Sequence, residues 1–84
     1  MPILQAYTFT MAEELATDGW IVTVECPVAG TTKYLAGFDT PREAMLAVRE
    51  RYDRGTMRFK GCLRLTANDL RAIRLQRHEL RPFQ

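Results

Sequence analysis

The side chains in this 84-residue sequence that could do chemistry are few and far apart. There is no serine, which removes a serine nucleophile outright. One histidine, His78, and two cysteines, Cys26 and Cys62, supply no zinc-ligand spacing. The one nucleophile–base pairing open to the chain is the Cys62 thiol with the His78 imidazole. If Arg58, Lys60 and Arg64 share its face, the Cys62 thiolate is favoured and the residue is reactive. As a part-buried structural thiol, with His78 on a solvent-facing helix, it is inert. Glu13 and Glu14 adjoin at a turn, where neighbouring carboxylates are usually only solvated. The five glycines, at 19, 30, 37, 55 and 61, match neither phosphate-loop pattern. No cofactor and no metal are expected, and the chain reads as non-enzymatic.

Arginine is the reactive type that does accumulate. Residues 1–48 hold two cations against six carboxylates, and residues 49–84 hold ten against four. The net charge of +2 therefore hides an asymmetry between the halves. Arg58, Lys60 and Arg64 point one way from a predicted strand. Arg71, Arg74, Arg77 and Arg81 share an arc of about 120° on a predicted helix. Guanidinium groups pair bidentately with carboxylate or phosphate, so these seven residues are the candidate partner-binding surface. An acidic protein and a nucleic acid both suit it. A solvated helix face also looks like this. No aromatic residues interleave with the arginines as base-stacking platforms, and no recognition helix is visible.

The elements that must position these residues follow from periodicity. Ile3 to Met11 reads as a strand rich in β-formers. Met11 to Thr17 fits either a short helix capped by Thr10 and Glu13, or a continued strand turning at Asp18-Gly19, and the hairpin is preferred. Trp20 to Cys26 alternates as a strand, Pro27 to Gly30 turns the chain, and Thr32 to Phe38 returns. Thr40-Pro41-Arg42-Glu43 is a helix start: Thr40 caps, Pro41 takes the first position and Glu43 closes the box. That helix runs to about Arg54, with Ala44, Met45, Val48 and Tyr52 facing the sheet. Met57 to Leu65 alternates, with Met57, Phe59, Gly61, Leu63 and Leu65 inward and Arg58, Lys60, Cys62 and Arg64 outward. Thr66 caps a second helix reaching to Arg81, although Ile73 to Gln76 could instead be extended. The fold class is α+β: an antiparallel four-stranded sheet, element order βββαβα, with both helices packed on one face.

Composition sets the frame. With 46% hydrophobic and 26% charged residues, residues 1–84 make one small globular domain. No apolar run approaches the roughly 18 residues that span a bilayer, so no membrane partner is expected. The sequence opens without a charged and then apolar leader pattern, and two cysteines are too few for a disulfide scaffold. A cytoplasmic, reducing setting is expected. A protein partner is expected, nucleic acid is open through the basic half, and an uncovered sheet edge permits a homodimer.

Two families are resembled. Met1-Pro2-Ile3-Leu4-Gln5 looks like the start of the tautomerase superfamily, which would imply Pro2 as a general base. Only Pro2 carries over, and the turn at Asp18-Gly19-Trp20 departs from that family's long first helix. Residues 5–54 resemble the HicB-type antitoxin domain. The match runs through Ala6-Tyr7-Thr8-Phe9-Thr10, then Asp18-Gly19-Trp20-Ile21-Val22-Thr23-Val24, then Gly37-Phe38-Asp39-Thr40-Pro41-Arg42-Glu43-Ala44. The resemblance implies a partial ribonuclease-H-like fold without nuclease activity, a role in neutralising a small toxin and, as a complex, repression of an operon. The family's proline-rich signature is reduced to Pro27-Val28-Ala29-Gly30, and residues 55–84 are too short for a separate DNA-binding module. A regulatory or inhibitory binding protein is the expectation. The alternatives are an inhibitor of a host nucleoprotein encoded by a mobile element, and an enzyme acting through Pro2 or Cys62.

Overall fold

The computed structural model describes residues 14–27, 30–53 and 55–83. The expected strand over 3–11, the ambiguous stretch before residue 14, Pro2 and Glu13 lie outside the described residues. The elements are β1 (Trp20–Cys26), β2 (Gly30–Ala36), α1 (Pro41–Tyr52), β3 (Arg58–Arg64), α2 (Ala67–Ile73) and β4 (Leu80–Phe83). The four strands form one antiparallel sheet in the order β3-β1-β2-β4, so the α+β class holds. The order over the described residues is ββαβαβ, with the fourth strand at the C-terminal end. No described helix is long and apolar enough to cross a membrane.

β1 is the centre of the molecule because its alternation gives each sheet face something to bury. Val22 and Val24 are fully buried, and with Ala36 they meet Ala44 and Val48 of α1. Burial of each valine contributes about 2 kcal/mol. Trp20 closes this layer by donating its indole N–H to the Phe38 carbonyl at 2.9 Å, and Tyr34 stacks on Tyr52 at 4.2 Å. β2 starts and stops two residues earlier than expected, because Gly30 already takes a left-handed turn conformation (φ 80°) and pairs with Cys26. α1 begins as its sequence requires. The Thr40 hydroxyl oxygen accepts the Glu43 N–H at 3.2 Å, with Pro41 at the first position. The helix stops at Tyr52, where Asp53 turns its carboxylate to the Gly55 and Met57 N–H groups.

The odd-numbered residues of β1 build a second core on the opposite face. Ile21 and Leu35 pack with Leu65, Leu70, Ile73 and Leu75. Successive strand residues face opposite sides, and the two helices divide between the two clusters. The expectation that both helices cover one face is therefore corrected: α1 covers one face and α2 the other.

Two further corrections bear on the arginines. The helix expected over 66–81 ends at Ile73. Thr66 and Asp69 do form a reciprocal capping box, but Arg74 adopts a left-handed conformation (φ 51°, ψ 47°) that stops the helix. The cause is Leu75. In a continuous helix it would stand beside the arginines, away from Leu70 and Ile73. The chain instead turns and buries Leu75 completely. Residues 75–79 are then held by main-chain bonds: Ala16 donates to Leu75, Arg77 to Glu14, His78 to Gly37, and Gly37 to Glu79. The second correction is in β3. Thr23 pairs with Gly61 but Val24 pairs with Phe59, so Lys60 is an extra, bulged residue. The bulge changes which side chains point inward. Phe59 and Cys62 reach the α1 layer, whereas Leu63, expected inward, is 70% exposed.

Gly19 serves packing rather than an Asp-Gly turn. It is not among the residues with positive φ, and a methyl group there would collide with Leu70 and crowd Leu65 and Leu75.

Candidate functional site

The seven predicted cations do not form one surface. On β3, Arg58 lies opposite Glu25, while Arg64 lies opposite Trp20, beyond the bulge. Arg64 stands over the Trp20 ring, 5.8 Å from its centroid, and binds Asp18 at 2.6 Å. Lys60 pairs with Glu25 at 3.6 Å. On the C-terminal segment, Arg71 binds the Asn68 side chain, Arg74 is the left-handed cap, and Arg77 pairs with Glu14 at 3.1 Å. Arg81 is in β4, on the far edge of the sheet from β3. It meets Glu79 through Nε at 2.8 Å and Nη2 at 2.9 Å, and donates to the Ile73 carbonyl at 2.8 Å. The Arg81 guanidinium and a Gln76 N–H hold the Glu79 carboxyl below its ordinary value against some opposing burial. Arg81 is a structural clasp.

No family model matches the chain, no curated protein matches it, and no solved structure matches it. The site must be argued from its own geometry.

That geometry points to the β3 side of the molecule. At 100° per residue, Arg42, Met45 and Arg49 lie within an arc of about 60° beside the buried stripe of α1. They overhang β3. Arg42, Met45, Leu46, Arg49 and Phe59 line an open groove of about 210 Å³. The Arg49 guanidinium stands 5.2 Å from the Phe59 ring centroid, a cation–π contact. Leu46 is 45% exposed at the groove rim. Arg49 pairs only loosely with Asp53, at 3.9 Å. Arg42 and Arg58 make no ion pair among the described residues. Sequence reasoning passed over Arg42 and Arg49. Their flanking position next to Met45 was readable from the helical arc, but it was eclipsed by the denser arginine run downstream.

The thiol chemistry is placed as well. The bulge turns Cys62 toward the α1 layer and away from the solvent side where Lys60 lies. Burial pushes its thiol above the ordinary cysteine value. His78 lies next to β4, with β1 and β2 between the two edge strands, and its ring packs on Phe38 at 5.3 Å. Cys62 and His78 are not brought together. Among the described residues, no group of three or more His, Cys, Asp or Glu is placed to hold a metal ion.

Proposed function

We propose that this protein is a small binding module of regulatory or inhibitory type, not an enzyme, and that it engages an anionic protein through the side of the sheet formed by β3 and the adjoining flank of α1. One observation carries the reading. Among the described residues Arg42 and Arg58 make no ion pair, and they stand on opposite faces of a sheet edge that exposes Leu46 on one face and Leu63 on the other. Apolar anchors rimmed by unpaired guanidiniums suit a protein with carboxylates around an apolar strip. The nucleic-acid reading has less support. Arg64, Arg77 and Arg81 are held by carboxylates of the same chain. The antitoxin-like form draws support from the resemblance over residues 5–54 and from the order hairpin, then Thr40-capped helix, within it.

The test is affinity capture from the native cell, with nuclease treatment, using the wild-type chain and an Arg42→Glu/Arg58→Glu variant. The expected result is a protein retained by the wild type and weakened or lost with the variant. Retention of nothing, or only of nuclease-sensitive material, would sink the reading.

A further inference from the structure

We infer that β3 is an edge to which an extended, acidic segment of a partner protein adds as a fifth strand, with its apolar side chains entering the Met45–Leu46–Phe59 groove. The inference rests on the binding reading above and specifies the partner's chemistry and mode.

Main-chain geometry supplies the first support. Among the described residues, β3 has a strand neighbour on one side only, β1. Leu65 donates its N–H to the Gly19 carbonyl at 2.8 Å. Stepping back by twos, Leu63 and Gly61 also face β1, so Cys62 and Arg64 turn their N–H and C=O groups away from it. Such a row is a template for another strand. The opposite edge is a poorer one: β4 has four residues, and one is Pro82, which has no N–H to give. The bulge at Lys60 confines regular addition to the 61–64 half of β3.

Charge decides the occupant. Arg58-Phe59-Lys60-Gly61-Cys62-Leu63-Arg64 holds three cations and no carboxylate. A second copy pairing antiparallel about Gly61 would set Arg58 opposite Arg64. Pairing about Cys62 would set Lys60 opposite Arg64, and a parallel pair would set each cation beside itself. Like charges directly opposite destabilise a pair of strands. Pairing about Leu63, the register that fits the regular 61–64 half, sets Arg64 opposite Cys62 and no cation opposite another, so self-association is opposed in the other registers only. Three cations without a carboxylate on the strand favour a segment with glutamate or aspartate at alternate positions. Arg42 and Arg49 lie at the rim of the groove on the α1 side, and Arg58 is on the other face of the sheet. Carboxylates of the added strand can meet cations on both faces. Of the ion pairs already formed on this side, Lys60–Glu25 and Arg49–Asp53 are long and compete weakly, whereas Arg64 is held by Asp18 at 2.6 Å, so Arg42, Arg49, Arg58 and Lys60 are the cations left to meet the added strand.

The experiment titrates the isotope-labelled full chain with a short synthetic peptide alternating glutamate and valine. Parallel titrations use its lysine counterpart and a single-stranded oligouridylate. The expected result is slowed amide exchange at Cys62 and Arg64, shifts concentrated in β3 and the Arg42–Arg49 flank, and no response to the lysine peptide. Arg42→Glu/Arg58→Glu should weaken the glutamate peptide by about tenfold while leaving thermal unfolding unchanged, since neither side chain has an ion-pair partner among the described residues. Equal binding of the lysine peptide, shifts centred on β4, oligouridylate acting where the peptide does not, or a dimer formed through β3 would each overturn the inference. A natural partner captured equally by wild type and variant would overturn it too, while the binding reading survives. Capture of no protein at all would remove both.

Discussion

The Arg81 guanidinium reaches back from β4 to the end of α2, where Nη1 donates to the Ile73 carbonyl at 2.8 Å. Glu79 fixes it there, bidentately, and the same carboxylate accepts the Gln76 N–H at 2.8 Å. The last carbonyls of a helix need partners, and here one side chain supplies them across a turn that the main chain would otherwise leave open. A residue that looks like surface charge in the sequence thus ties the C-terminal strand to the helix before it.

Glu79→Gln should lower stability at neutral pH by up to about 1 kcal/mol, since the pair is partly solvated. The folded state depresses the Glu79 carboxyl relative to its ordinary value of 4.5. Its contribution is therefore present in full above about pH 4.5 and is lost as pH falls through the lower, folded value. Urea midpoints for wild type and variant should differ at pH 7 and converge near pH 3. A difference that persists in acid would show that packing, not charge, holds the clasp.

Gly37→Ala and Gly61→Ala should separate cleanly. A methyl group at Gly37 would overlap the Gln76 carbonyl oxygen and crowd Ala16, while at Gly61 it would meet nothing within 4 Å. The first change should cost about 2 kcal/mol or more, and the second should be near neutral or mildly stabilising in a strand. Thermal unfolding of the two variants checks this.

Leu75→Ala should cost about 2–4 kcal/mol, the range for emptying a closed apolar site, because Leu75 is fully buried. Leu63→Ala should cost less than about 0.5 kcal/mol, because Leu63 is 70% exposed. Had the helix run on to residue 81 and β3 alternated without interruption, the order would be reversed. Denaturant unfolding of both variants tests the corrected register and the corrected helix end together.

Cys62 should alkylate slowly. In a Cys26→Ala background at pH 7, its rate should fall below that of an unstructured thiol and recover on unfolding in urea. Burial disfavours the thiolate. Faster reaction than the unstructured control would restore the reactive-cysteine idea.

The strand over Trp20–Cys26 and the start of α1 at Thr40 were legible because each carries a local signal that needs no tertiary partner. The class and the antiparallel strands β1, β2 and β3 were legible for the same reason, whereas β4 falls where the second helix was expected to end. The β3 bulge was not. Met57-Arg58-Phe59-Lys60-Gly61-Cys62-Leu63 alternates well in a single register, and only pairing against Val24 and Thr23 shows where one residue is skipped. The helix end was half legible. Leu75 lay on the arginine side of the helical projection, an apolar residue out of place, and burial of that residue broke the helix. The site was legible only in its β3 part, since Arg42 and Arg49 matter through their position over Phe59, which no periodicity on one element reveals.

The extra residue at Lys60 has a consequence for how this chain can change length. Elsewhere in β3, losing one amino acid would reverse which side chains meet the valines of β1, sending cations into the interior. Removing residue 60, or Gly61 in its place, closes the bulge with Phe59 still against Val24 and Cys62 against Val22, the greasy side still turned in. The strand therefore has one point at which a single-codon deletion preserves its meaning.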